Sequence, residues 1–173
     1  EQERSNTPEK PFFMFNVTMQ NHSSYSDWAD YDNFSPDITV EGSDSKLLPA
    51  YLSLIRLSDS AIQNLVSYFE AQEEPTMIVF FGDHQPADSV VRPVWKLNGK
   101  DDADLTDEEE ALRYKVPFFI WANYDIDTSD YANIGRISAN YLGPVTMKVA
   151  GAKLSDYEEY VYSLMEKYPV ISA

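Results

Sequence analysis

Thr76-Met77-Ile78-Val79-Phe80-Phe81-Gly82-Asp83-His84-Gln85-Pro86 is the stretch on which the fold turns. Its first six residues are mostly large, β-branched or aromatic, as expected of a strand buried on both faces. Gly82 then allows a sharp exit, and Asp83 and His84 offer a hard oxygen and an imidazole nitrogen at adjacent positions. An O/N donor pair on a rigid strand end suits Mn2+, Zn2+ or Mg2+-like ions. The same residues also make an ordinary strand-end turn in which Asp83 caps backbone amides, and spacing does not choose between the two.

Upstream, residues from about Pro49 to Gln72 read as a helix. Tyr51, Leu54, Ile55, Ser58, Ala61, Ile62, Leu65 and Phe69 recur at three- and four-residue spacing, with Arg56, Asp59, Gln63, Asn64 and Ser67 largely opposite. Pro49 suits the first turn, and Pro75 lies just past the end. Before the helix, Pro11-Phe12-Phe13-Met14-Phe15-Asn16-Val17-Thr18-Met19-Gln20 predicts another buried strand, ending in the polar patch Asn21-His22-Ser23-Ser24-Tyr25. Strand, helix, strand is a βαβ unit, so the expected sheet is mainly parallel, mixed at most, and flanked by helices. In open parallel sheets ligands bind beyond the carboxyl ends of the strands. The chain has 2 histidines, His22 and His84, and each follows the carboxyl end of one of these strands. Taken without that match, His22 reads better as a hydrogen-bonded histidine near the core edge.

Residues 1–10 form a polar lead-in, and Ser26 to Ser45 reads as loop. Downstream, Ala87 to Lys115 is an excursion with a very acidic middle, Asp101 to Glu110. Thr106 and Glu109 are spaced as a capping box for a short helix ending near Tyr114. An EF-hand reading of this run fails, because Asp107 stands where Gly is required and Arg113 where Glu is. Val116-Pro117-Phe118-Phe119-Ile120-Trp121-Ala122 predicts a third strand, and helices are expected over about 138–150 and 154–167. Trp28, Trp95 and Trp121 read as packing residues.

The 173 residues fit one ordinary domain, and 43% hydrophobic with 14% aromatic residues is ample for a core. A net charge of −16 argues against nucleic acid and against adsorption to an anionic membrane, since 13 Lys+Arg cannot easily build a basic footprint among 29 Asp+Glu. It also repels anionic substrates, so a phosphate site here requires a bound cation. With no cysteine there is no disulfide, zinc-thiolate site or thiol nucleophile. No apolar run reaches a membrane-spanning length.

Ile78 to His84, strand then Gly-Asp-His, resembles the signature of the sulfatase and lipoteichoic acid synthase group of the alkaline phosphatase superfamily. The preceding helix with Asp59-Ser60-Ala61-Ile62, the segment Asn16 to His22 ending in Asn-His, and Tyr114 to Trp121 resemble further parts of the same domain, in the same order. The resemblance implies that 11–173 is the C-terminal portion of such a catalytic domain. Asp83 and His84 are then ligands of the catalytic metal, Mn2+ first, with Zn2+, Mg2+ or Ca2+ as alternatives. His22 contacts the substrate's phosphate or head group.

The implied activity is phosphoglycerol transfer from an anionic lipid phosphodiester in cell-envelope polymer synthesis. Sulfatase, phosphodiesterase and phosphoethanolamine transferase activities are the neighbouring options, and a non-catalytic binding domain is the rival from another class. A Thr nucleophile and a further acidic ligand belong, in this family, to an N-terminal half ahead of these residues. Thr7, Thr18 and Thr76 lack the context of a nucleophile. The resemblance also implies upstream membrane helices and a place on the extracytoplasmic face of a bacterial membrane.

Overall fold

The computed structural model describes residues 10–25, 34–132 and 134–171. The lead-in apart from Lys10, the loop over 26–33 and Trp28 lie outside them. The chain forms two units: residues 1–59 with 86–104, and residues 60–85 with 105–173.

Helix α1 (Leu47–Glu70), whose residues up to Asp59 belong to the first unit, begins where the Ser45 hydroxyl accepts from the Leu48 amide at 3.2 Å. Its early turns bury Leu48, Ala50, Ser53 and Leu54. With Tyr25 and Val90 these make the core of the unit. Ser53 is buried but satisfied: its hydroxyl donates to the Pro49 carbonyl at 2.8 Å and accepts from the amides of Asp37 and Ile38. Arg56, on the exposed side as expected, pairs with Asp37. The apolar stripe is fully buried only at its start; Ile62 and Phe69 are half-buried, and Ile55 and Leu65 are exposed.

Residues 88–97, read as part of an irregular excursion, form helix α2 (Asp88–Leu97) despite the internal Pro93. Val90 at 2% exposure pins it to the core. Arg92 bridges Asp88 one turn back and, at 2.8 Å, Asp102 in the 3-10 turn Asp102–Asp104.

The strand expected over 11–20 is not formed. These residues carry no regular secondary structure, and Phe12, Phe13, Met14, Phe15, Val17 and Met19 are all exposed. An apolar run becomes a buried strand only when neighbours take up its backbone groups and cover both faces. Among the described residues the sheet consists of two strands, β1 (Met77–Phe81) and β2 (Phe118–Ala122).

The parallel pairing expected of β1 was with the run 11–20, which forms no strand. Strands β1 and β2, both in the second unit, are antiparallel, with Met77 opposite Ala122 and Phe81 opposite Phe118. The reason lies in the connection. The amide of Gly82 donates to the Pro117 carbonyl at 3.0 Å, so the chain leaves β1 and enters β2 at the same end of the sheet. Pro117, lacking a donor, tolerates this edge position.

Met77 and Ile120 share one face and pack on the second core, built from Tyr141, Val145, Val149, Val161 and Met165. Phe80 and Phe119 stack on the other face, centroids 5.3 Å apart. Helices α4 (Leu142–Val149) and α5 (Asp156–Lys167) supply that core, close to the expected ranges. The capping box of Thr106 and Glu109 is present and opens α3 (Asp107–Glu110), which runs on as a 3-10 turn to Tyr114. Trp95 and Trp121 are half-buried, in keeping with packing roles.

The start of β1 is locked by Asn123, just past β2. Its side-chain oxygen accepts from the Thr76 amide at 2.7 Å. Its nitrogen donates to the carbonyls of Phe69, Gln72 and Glu74, where α1 ends.

Candidate metal centre and histidine sites

Strand β1 delivers Asp83 and His84 to the exit turn, where both side chains are well exposed, at 78% and 66%. Asp83 Oδ1 accepts the His84 backbone amide at 2.8 Å, so one carboxylate oxygen does cap the turn, as the plainer reading of the sequence had it. The other oxygen, Oδ2, lies 3.7 Å from His84 Nε2. The two candidate ligand atoms therefore approach each other on one turn.

The ring of His84 is set by its second nitrogen. Nδ1 lies 2.8 Å from the Gln85 carbonyl. A carbonyl can only accept, so Nδ1 carries a proton, and in the neutral ring that leaves the lone pair on Nε2. That is the tautomer a metal-binding histidine needs, with its other N–H fixed by an acceptor.

Gly82 is required for close approach and not for unusual backbone. A Cβ added there would stand 3.1 Å from Val116 Cβ, tighter than packing normally allows. The segment before β2 thus runs hard against the exit turn, and the Gln85 side chain reaches across to donate to the Lys115 carbonyl.

His22 belongs to the first unit and is exposed. Its Nδ1 lies 2.7 Å from the Ser23 carbonyl, the same local device as in His84. The residues around it are tied to α1. Asn21 and Ser58 exchange hydrogen bonds, Nδ2 to the hydroxyl at 2.9 Å and the hydroxyl to Oδ1 at 3.1 Å. Gln20 donates to the Ser58 hydroxyl and to the Leu54 carbonyl, both at 3.3 Å. Tyr25 donates to the Asn21 carbonyl at 2.8 Å and meets Tyr51 edge-on. Burial, and secondly Tyr51, raises the Tyr25 phenol above its ordinary range, so it stays a donor.

Gln20, Asn21, Ser58 and Gln85 were not singled out from the sequence as site residues. Ser58 did carry a signal, as a polar residue within the apolar stripe of α1. A separate concavity of about 360 Å3 in the second unit is lined mainly by apolar residues, among them Phe118, Ile120, Ile126 and Val149. Among the described residues no carboxylate or imidazole lines it.

Residues 2–152 match the family model described as sulfatase. The chain belongs to the sulfatase family. It thereby falls in the alkaline phosphatase superfamily, and Gly82, Asp83 and His84 lie within the matched range. The chain is also 27% identical, over 171 residues, to a protein of Rhizobium meliloti (strain 1021) named "Putative cyclic beta-1,2-glucan modification protein". That alignment covers 94% of this chain and 26% of the relative, so the chain spans about a quarter of that protein's length. No solved structure matches the chain.

Sulfatase-family domains generally bind a divalent metal. The donors of Asp83 and His84 fit one: a carboxylate oxygen and an imidazole nitrogen in its binding tautomer, on one rigid turn. Among the described residues no group of three or more histidine or acidic side chains gathers, so this pair offers two ligands. No helix among those residues is long and apolar enough to cross a membrane.

Proposed function

We propose that the protein carrying this chain is a divalent-metal-dependent transferase of the lipoteichoic acid synthase type. It moves a phosphoglycerol-type group from an anionic lipid phosphodiester to a hydroxyl of a cell-envelope glycan. The observation that carries the reading is the approach of Asp83 Oδ2 and His84 Nε2 at the end of β1, in a chain of the sulfatase family. The glycan acceptor is suggested by the name of the Rhizobium meliloti relative.

In this reading Asp83 and His84 hold the ion, Mn2+ first, and His22 contacts the phosphate or head group. Bound there, a divalent cation offsets phosphoryl oxygen charge and acidifies the attacking hydroxyl. It also supplies the positive charge that a chain of net charge −16 lacks. The nucleophile, a further acidic ligand, the remaining strands of a mainly parallel sheet and a membrane anchor come from residues outside those described. The site then faces the extracytoplasmic side. Sulfate-ester hydrolysis is the second reading, favoured by the family match itself.

The test incubates the protein carrying this chain with phosphatidylglycerol, an unsubstituted glucan and Mn2+, and follows the glucan by 31P NMR. New phosphodiester on the glucan, lost with EDTA and in Asp83→Asn and His84→Ala, is the expected result. Hydrolysis of an aryl sulfate without transfer would move the assignment to a sulfatase. Metal binding without turnover of either substrate would leave a binding domain.

A further inference from the structure

Asp83 and His84 are bracketed by two attachments to the same neighbouring segment. Before them, the Gly82 amide donates to the Pro117 carbonyl at 3.0 Å and extends the β1–β2 ladder by one bond. After them, the Gln85 side-chain amide donates to the Lys115 carbonyl, 30 residues away in sequence. Between these points the turn has little freedom, although its two side chains are exposed. Gln85 itself is half-buried.

Gln85 acts on His84 a second time through its backbone, because its carbonyl accepts the Nδ1 proton of the imidazole. Where that carbonyl points depends on how residue 85 is held. Release of the side chain from Lys115 frees the peptide unit, and with it the choice of imidazole tautomer. In water an unconstrained imidazole has no such acceptor to fix its proton, so the Nε2 lone pair is presented only part of the time.

We propose that Gln85 is the positioning residue of the Asp83–His84 pair. By pinning the exit turn of β1 to Lys115 it aims its own carbonyl at His84 Nδ1 and keeps Nε2 available beside Asp83. It touches neither ion nor substrate. The inference deepens the metal-site reading and rests on it for its consequence, but its structural core is testable without metal.

The 173-residue chain, labelled with 15N, provides the test, because its 2 histidines give two ring systems in a long-range 1H–15N spectrum. His22, bonded to the Ser23 carbonyl, is the internal reference. In the unaltered protein the Gln85 side-chain amide should exchange with solvent about tenfold more slowly than that of exposed Gln63, and His84 should carry its proton on Nδ1. Gln85→Glu keeps the shape but cannot donate. It should move His84 to a mixture of tautomers while His22 is unchanged. It should also raise the Mn2+ concentration that broadens the His84 ring by about tenfold, the usual size of such supporting effects.

A Gln85 amide that exchanges as fast as Gln63 overturns the proposal even if the variant fails to fold. So does an unaltered His84 tautomer in Gln85→Glu. A tautomer that follows Gln85 in a protein that Mn2+ never broadens upholds the positioning role and removes the metal reading instead.

Discussion

His22 and His84 both donate from Nδ1 to the carbonyl of the following residue, at 2.7 and 2.8 Å, yet the scaffolds behind them differ in kind. His84 sits on a turn held by one main-chain ladder bond from Gly82, a close approach to the Val116 side chain and one side-chain staple from Gln85. His22 sits on a segment fixed by side chains, with Gln20 and Asn21 meeting the hydroxyl of Ser58 and Tyr25 buried at 4% exposure. A metal site requires its ligands to be held to a fraction of an ångström by packing and supporting hydrogen bonds. In each unit the imidazole lies against the next carbonyl, and the two differ in the elements behind it.

Four perturbations sharpen or break that comparison, beginning with the largest. Tyr141→Ala removes a fully buried ring and the hydroxyl bonded to the Tyr168 carbonyl at 2.9 Å in the core beneath β1 and β2. It should cost roughly 3–5 kcal/mol in urea denaturation. If the loss stays below about 1 kcal/mol, that core does not support the strands.

Gly82→Ala forces a methyl to within 3.1 Å of Val116 Cβ and should cost about 1–3 kcal/mol. Displaced His84 ring signals in the NMR spectrum should accompany it, and a neutral substitution would show the turn to be loose. Ser58→Ala takes away the shared partner of Gln20 and Asn21 and should cost about 1 kcal/mol, seen with a shift of the His22 ring. An unmoved His22 would mean that α1 does not hold that segment.

The smallest effect is in acid. The amide and hydroxyl of Ser155 hold the Glu158 carboxyl below its ordinary range. A depressed folded value means the capping contribution is complete above the ordinary glutamate pKa of about 4.3 and is lost as pH falls through the folded value. The amide of Glu158, which donates to the Ser155 hydroxyl, should therefore lose hydrogen-exchange protection only below that range. Loss already at pH 6 would contradict it.

Periodicity made α1, the two observed strands and the closing helices legible, because each pattern is local. Thr106 with Glu109 was legible for the same reason. The run Pro11 to Gln20 shows the limit: nothing within ten residues tells whether neighbouring strands are present to cover them. Helix α2, with Pro93 inside it, was read only as part of an excursion, because Val90 and the Arg92 bridges that hold it are tertiary. The site divides in the same way. Asp83 and His84 stood out because a strand end and a Gly announce them, whereas Gln85 and Ser58 act through partners 30 and 37 residues away.

In the proposed function Asp83 and His84 together hold a divalent cation. The direct measurement is a titration of the 173-residue chain with Mn2+, watching paramagnetic broadening of the two histidine rings in the unaltered protein and in Asp83→Asn. Saturable broadening of His84 at metal concentrations that leave the Asp83→Asn ring sharp is the predicted result. A His84 ring that stays sharp throughout, or one that broadens equally in both proteins, would contradict the account.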